Sequence, residues 1–206
     1  RSVWKQTRRC AVFFGFAAFL TDKREREEAL RIMAITAAVR SQPLPAPFVT
    51  AARRVDVLTE AVITVETDEG ISGCCGAPDT AAVTGDTPGS AVYAAEHIFA
   101  PLLVGRELTA DVSECCEKAL YGNPGAKAAL DVAVHRALAA SRGVPLCALL
   151  GGRPHELTTD LTISAGAPSD VASRAADAYA NGFPILKIKL GTDIEADLQT
   201  LRELKA

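Results

Sequence analysis

The order of strand and helix patterns predicts an α+β domain followed by the first units of a parallel α/β fold. Within residues 30–73, two stretches alternate apolar and polar residues as half-buried antiparallel strands do. Apolar residues at helical spacing follow, up to Gly143. From residue 157 onward, strands and helices alternate with short links, which implies parallel strands joined by right-handed crossovers.

The composition is that of a globular protein with no feature of nucleic-acid binding. Of the 206 residues, 49% are hydrophobic, which allows a sizeable core. The net charge is −3, and no basic stripe is interleaved with aromatic residues. The six cysteines form no C-x-x-C pair and only three histidines are present, so we expect reduced cysteines in a cytoplasmic protein rather than a zinc site.

Residues 1–29 form an atypical N-terminal extension. The apolar run CAVFFGFAAFL follows Arg8 and Arg9 but is too short to span a bilayer. An export signal stays open, yet no small-x-small cleavage site follows the run. We favour an extension or a gene-model artefact, leave this segment out of the fold prediction and expect no membrane association.

Strand patterns and loops make up the first part of the α+β region. IMAITAAVR predicts one strand, and AVITVETDEGISG predicts a hairpin over Ala61–Gly73 that turns at TDEG. Between them, the proline-rich stretch SQPLPAPFVTAARRVD is expected to be a loop. A second loop, APDTAAVTGDTPGS, leads to the helices.

Two helices are predicted next. SAVYAAEHIFAPLLVG ends at Gly105, and the longer NPGAKAALDVAVHRALAASRGVPL has Gly143 beyond its end. The longer helix has one apolar face, formed by Ala129, Leu130, Ala133, Val134, Ala137 and Leu138. Lys127, Asp131 and His135 recur on its other side, where a solvated surface with ion pairs is favoured over a ligand cluster.

Two βα units follow. LTTDLTISA and PILKIKL predict strands, and PSDVASRAADAYANG and TDIEADLQTLRELKA predict helices. In the last helix Thr192 and Glu195 fit a capping box. Because two parallel strands cannot close a core, we expect the chain to be truncated.

The second of these strands carries two lysines at its carboxyl end, where functional groups of parallel α/β folds gather. Lys187 and Lys189 are two residues apart, so their side chains share one face. Two ammonium groups ~6 Å apart repel by roughly 3 kcal/mol at an effective dielectric constant of ~20, which favours release of a proton and creates a general base. Charges that protect an edge strand from aggregation are the alternative, and the spacing alone leaves both interpretations open.

A resemblance favours the first interpretation. The motif LKIKLG follows DLTISA and an intervening helix. It resembles the second barrel strand of the enolase superfamily, in the muconate-lactonizing-like subgroup, which has a K-x-K motif there. Further motifs stand in the order found in dipeptide epimerases of the L-Ala-D/L-Glu epimerase type: PFVTAARRVD, VTGDT, GNPGAKAALDVAVHRALA and LLGG. The resemblance covers about residues 30–206. It implies an α+β capping domain over residues 30–150 and, over residues 157–206, the first two βα units of a modified (β/α)8 TIM barrel.

The resemblance also implies roles for individual residues. Lys189 matches the lysine that abstracts or returns the α-proton, and Lys187 the lysine near the substrate carboxylate. Thr162 matches the threonine that contacts the dipeptide, and Arg53 the arginine that meets a substrate carboxylate. Thr84, in the loop that resembles a flexible lid, is the weaker candidate. Without the resemblance, a solvated Arg53–Arg54 pair and a plain strand threonine would be favoured.

The metal that the family uses is not accounted for by this chain. Members bind Mg²⁺ through three carboxylates at the ends of later barrel strands, so its ligands, and a second catalytic lysine, are expected beyond residue 206. Asp193, Glu195 and Asp197 alternate along a helix start and are interpreted as acids that the helix dipole favours. We assign no metal ligand to this chain.

The resulting expectation is a dipeptide epimerase that moves a proton at the α-carbon of the C-terminal residue, in cytoplasmic recycling of cell-wall peptides. The substrate is a small-molecule dipeptide, and a homo-oligomer stays open. The alternatives are a cycloisomerase, an o-succinylbenzoate synthase, an N-acylamino-acid racemase, or an inactive fragment that acts as an interaction module.

The chain departs from the family pattern at one place. The pattern G-x-G-E-A-P here reads GCCGAP, with Gly76 in place of the acid.

Overall fold

The computed structural model describes residues 29–205. Its elements follow the predicted order, with antiparallel strands first, then helices, then two βα units. In chain order they are β1 (Ile32–Val49), β2 (Arg54–Thr67), β3 (Ser72–Pro78), α1 (Pro88–Tyr93), a π-helical segment (Ala94–Phe99), α2 (Ala100–Leu103), α3 (Val112–Ala119), α4 (Pro124–Ser141), α5 (Leu146–Leu149), β4 (Leu161–Ile163), α6 (Pro168–Ala180), β5 (Leu186–Ile188) and α7 (Ile194–Lys205). The proposed extension, residues 1–29, lies almost entirely outside this part. Within residues 29–205, no helix is both long and apolar enough to cross a membrane.

The first three strands form an antiparallel sheet in the order β1-β2-β3. The predicted hairpin is confirmed: Val65 pairs with Gly73, and the backbone N–H of Thr67 donates to the carbonyl of Ile71 across the turn (2.9 Å). The pairing runs further than the prediction, as far as Glu60 opposite Pro78.

The prediction of a proline-rich loop was wrong for most of its length. β1 continues to Val49 and β2 begins at Arg54, so that only residues 50–53 connect them. The pairing shifts register between Pro43 and Phe48. β1 is an edge strand of this sheet, where a proline ring on the unpaired side removes no hydrogen bond of the ladder, and the irregular register accommodates the rest.

The predicted helix over residues 90–105 is divided into α1, the π-helical segment and α2. The N–H of Ala100 donates to the carbonyl of Ala95, five residues back. Pro101 follows directly and has neither an N–H to donate nor room for a regular α-helical turn before it. We attribute the local widening of the helix to this proline.

The main core lies between the sheet and α4. All six residues of the predicted apolar face of α4 are buried, which confirms that interpretation. Ala61, Ile63 and Val65 of β2 face them from the sheet. β3 approaches α4 so closely that a side chain at Gly73 would overlap the carbonyl of Ala133, so only glycine fits there.

The second part contains the parallel pair β4–β5 with α6 and α7. Ile163 and Ile188 pack with Val171 of α6 in a separate small hydrophobic cluster. The predicted capping box of α7 was wrong, because the side chain of Asp193, not of Thr192, accepts from the N–H of Ala196 (2.8 Å). An aspartate directly before the first helical residue is well placed to cap it.

Candidate functional site

The two lysines of the K-x-K motif lie beside Thr162 on one face of the parallel strand pair. Thr162 is directly opposite Lys187 in the register, and the N–H of Lys189 donates to the carbonyl of Ile163 (3.1 Å). Ile163, which follows Thr162, and Ile188, which lies between the two lysines, pack toward α6 and α7. Since side chains alternate along a strand, Thr162, Lys187 and Lys189 share the opposite face.

The ammonium groups of both lysines are available for a ligand. Lys187 is exposed and Lys189 is half-buried. Within residues 29–205, neither ammonium group has a hydrogen-bond or ion-pair partner. Two unpaired cations on one face, next to a hydroxyl, suit an anionic ligand such as a carboxylate.

Arg53 is held in a tight turn that abuts the ends of both parallel strands. The hydroxyl of Thr50 accepts from the N–H of Arg53 (3.2 Å), and the N–H of Thr50 donates to the carbonyl of Arg53 (2.9 Å). Before this turn, the carbonyl of Val49 accepts from the N–H of Ala165, just after β4 (3.1 Å). On the other strand, the Cβ of Ala51 lies 3.5 Å from where a Cβ of Gly191 would stand. The turn with Arg53 therefore belongs to the same end of the parallel pair as the lysines.

The loop that carries Thr84 begins beside Arg53. The guanidinium of Arg53 reaches the carbonyl of Asp79 (3.5 Å), and the N–H of Asp79 donates to the carbonyl of Thr59 (2.8 Å). Thr84 itself is exposed, and its hydroxyl lies 2.6 Å from that of Thr80. A substrate contact by Thr84 would thus compete with this local hydrogen bond.

Gly76, where the family pattern has an acid, lies under the side chain of Glu60. A Cβ at Gly76 would overlap the carboxylate of Glu60, which reaches across from the neighbouring strand. The strand pair thus holds a carboxylate at this place, from a different position in the chain. The sequence pattern did not single out Glu60, because the contact joins residues on two strands.

The residues considered as metal or cation ligands are engaged elsewhere. Among residues 29–205, no group of three or more histidine, cysteine, aspartate or glutamate side chains is arranged to hold a metal ion. Asp193 caps α7, and the carboxylate of Asp197 accepts from the N–H of Gly191 (2.7 Å). These acids at the start of α7 are therefore not a metal site within residues 29–205.

The helix surface and the cysteines agree with the simpler interpretations. Lys127 pairs with Glu117 of α3 (3.0 Å), and the ring of His135 lies 3.4 Å from the carboxylate of Asp131, so these side chains form pairs as predicted, but Lys127 and His135 are mostly buried rather than solvated. The five described cysteines are free thiols, and Cys10 lies outside the described residues. Burial raises the pKa of the Cys116 thiol to about 11, so it stays protonated near neutral pH and is a poor nucleophile or metal ligand.

The sequence of residues 34–151 matches the family described as mandelate racemase / muconate lactonizing enzyme, N-terminal domain. The chain is similar to the L-Ala-D/L-Glu epimerase of Bacillus subtilis (strain 168), with 34% identity over 179 residues that cover 85% of this chain and 49% of that protein. A substrate-liganded structure of the Bacillus subtilis L-Ala-D/L-Glu epimerase superposes with a TM-score of 0.80, covering 84% of this chain and 49% of that one. The chain spans about half the length of the curated relatives it matches.

Two further relatives show the range of reactions around this fold. A dipeptide epimerase from Enterococcus faecalis V583, solved with Mg and the dipeptide L-Leu-L-Tyr, is 27% identical, with a TM-score of 0.79 over 86% of this chain and 50% of that one. The N-succinyl-L-Arg/Lys racemase of Bacillus cereus is 28% identical over 85% of this chain and 48% of that protein. All these relatives are named as epimerases or racemases, which are isomerases.

Proposed function

Since the chain belongs to the mandelate racemase/muconate lactonizing enzyme family, we propose that its lysine site serves an isomerase, a dipeptide epimerase acting at the α-carbon of the C-terminal residue. One observation carries the proposal: Lys187 and Lys189 are unpaired beside Thr162 at the end of the parallel strands. The similarity to L-Ala-D/L-Glu epimerases supports the choice of dipeptides.

The chemistry assigns a task to each residue. The α-proton next to a carboxylate is very weakly acidic, so its removal needs a base and a positive field for the developing enediolate. Lys189, the half-buried lysine, is proposed to take or return this proton. Lys187 is proposed to lie near the substrate carboxylate, and Thr162 to contact the dipeptide.

Arg53 and Thr84 are proposed to complete the site from the α+β part. The Arg53 turn lies against both strand ends, which suits a guanidinium that binds a second carboxylate of the substrate. Thr84 is proposed as a lid contact. The proposed domains, residues 30–150 and 157–206, would then meet across the substrate.

A requirement for Mg²⁺ is proposed from the Enterococcus faecalis relative, which was solved with Mg. We assign neither the Mg²⁺ ligands nor a second lysine to residues 29–205, where no group of three carboxylates is arranged to hold a metal ion. We likewise propose the cytoplasm and cell-wall peptide recycling as the setting.

The test is a substrate comparison with the natural full-length protein in D₂O. Exchange of the α-proton of L-Ala-L-Glu and L-Ala-D-Glu, followed by proton NMR, is expected to exceed that of N-succinyl-L-arginine by at least tenfold. Faster exchange of the N-succinyl compound would favour the racemase alternative, for which the Bacillus cereus relative is the supporting observation. No exchange with any of them, even with added Mg²⁺, would contradict the proposal and favour a cycloisomerase or an inactive interaction module.

Replacement of Arg53 by alanine is expected to raise the KM for L-Ala-D-Glu on the order of tenfold or more, while kcat changes less. The reason is the loss of a charge-assisted hydrogen bond to the substrate carboxylate. Steady-state kinetics on the full-length enzyme measure both constants.

Arg54→Ala is the matched control, because the guanidinium of Arg54 is bound to the carboxylate of its neighbour Asp56 (2.8 Å) on the surface. Its KM should stay within about twofold of the wild type, as is usual for exposed ion pairs. Equal effects of the two substitutions would argue against a substrate contact by Arg53.

A further inference from the structure

Asp86 is the only buried charged residue among residues 29–205, with 7% of its surface exposed. It lies at the end of the loop that carries Thr84, far from the lysines in sequence. A buried carboxylate needs strong partners, because removing an unpaired charge from water is strongly unfavourable.

The partner of Asp86 is the beginning of α4. Its carboxylate accepts from the N–H of Gly125, in the first turn of that helix, at 2.9 Å. Asn123, which precedes the helix, makes no capping hydrogen bond with its own side chain. Asp86 therefore caps this 18-residue helix from 39 residues away, and its negative charge is favourable at the positive end of the helix dipole.

The same residue also closes the loop on itself. The N–H of Thr80 donates to the carbonyl of Asp86 (3.2 Å), and the N–H of Asp86 lies 3.4 Å from the hydroxyl of Thr84. Within the loop, the N–H groups of Val83 and Thr84 both donate to the carbonyl of Thr80. The loop is thus a small closed unit with a charged side chain fixed to a helix whose inner face is in the main core.

We propose that Asp86 is a positioning residue that fixes the 80–86 loop against α4 and so holds Thr84 in place for substrate. This inference rests on the proposed function. It predicts that loss of the carboxylate weakens substrate binding, with little effect on proton transfer at Lys189.

The test compares Asp86→Ala with Asp79→Ala in the full-length protein. Asp79 is the matched control because it directly precedes this loop but is exposed, and its carboxylate bonds only locally, to the N–H of Ala81 (3.2 Å). Asp86→Ala is expected to speed amide hydrogen exchange of Thr84 and Gly125 by about tenfold and to raise the KM for L-Ala-D-Glu by about fivefold, with kcat within twofold of the wild type. Asp79→Ala should change none of these quantities by more than about twofold.

Amide hydrogen exchange tests whether Asp86 fixes the loop to α4, and the kinetic constants test whether this matters for substrate binding. Unchanged amide hydrogen exchange at Thr84 and Gly125 in Asp86→Ala would show that Asp86 does not fix the loop to α4, whatever the values of KM and kcat. Faster exchange with an unchanged KM, or equal losses in kcat for both variants, would overturn the positioning role. If the wild-type enzyme were inactive on every dipeptide, the proposed function and the positioning role of Asp86 would both be refuted. Amide hydrogen exchange would still show whether Asp86 fixes the loop to α4.

A second variant serves if Asp86→Ala does not fold. Asp86→Asn keeps the shape and one acceptor oxygen but removes the charge that favours the helix terminus. It is expected to shift exchange and KM in the same direction by about two- to threefold. No shift in either quantity would overturn the proposal.

Discussion

Replacement of Lys189 by alanine is expected to slow α-proton exchange of a dipeptide substrate on the order of a thousandfold. General acid–base groups contribute about 10²- to 10⁴-fold to such reactions. The ammonium group of Lys189 has no protein partner among residues 29–205, so its removal leaves no buried group unsatisfied and should preserve the fold. Incorporation of deuterium at the α-carbon, followed by proton NMR in the full-length protein, measures the effect.

Two controls separate base chemistry from charge. Lys189→Arg keeps a cation of similar reach that cannot act as a base near neutral pH, and it should be nearly as slow as Lys189→Ala. Lys205→Ala removes an exposed lysine at the end of α7 and should exchange at the wild-type rate. Rapid exchange by Lys189→Ala would show that another residue abstracts the proton.

Replacement of Gly73 by alanine is expected to lower the free energy of unfolding by about 3 kcal/mol, the upper range for an overpacked core. The added Cβ would overlap the carbonyl of Ala133 and come within 2.6 Å of the backbone nitrogen of Ala137. Both atoms belong to the backbone of α4, which cannot move without separating from β3 along its length. The midpoint of urea unfolding, followed by circular dichroism, measures the loss.

Gly76→Ala is the matched control on the same strand. Its Cβ would meet the carboxylate of Glu60, the far end of a flexible, half-buried side chain that can rotate away. We expect a loss of about 1 kcal/mol or less, no larger than the centre of the range for point substitutions in general. If Gly73→Ala unfolded at the same urea concentration as Gly76→Ala, the close approach of β3 to α4 would be refuted.

Local periodicity was sufficient to predict most elements of this protein. The apolar face of α4 and the alternation of strands and helices after residue 157 were predicted from the spacing of apolar residues, and the hairpin from that spacing together with the turn residues TDEG. The shared face of Lys187 and Lys189 follows from the two-residue period of a strand. The family assignment came from short motifs in a fixed order, and residues 34–151 confirm it.

Errors arose where a residue type has different effects in different surroundings. The prolines of β1 suggested a loop, but they are compatible with the edge position that the sheet gives this strand. Asp193, not Thr192, caps α7. Either side chain is suited to capping, and the path of the backbone decides which of the two does so. The roles of the candidate site residues stay predictions.

What the sequence by itself determined is therefore the order of the antiparallel, helical and βα regions, the apolar face of α4 and the face that the two lysines share, because these depend on neighbours a few residues apart. Only the tertiary structure decided that the Arg53 turn lies against the ends of β4 and β5, that Glu60 covers Gly76, and that Asp86 caps α4. Each of these contacts joins segments that are distant in the chain. They form because packing brings those segments together, and no local period encodes which distant partner a side chain will meet.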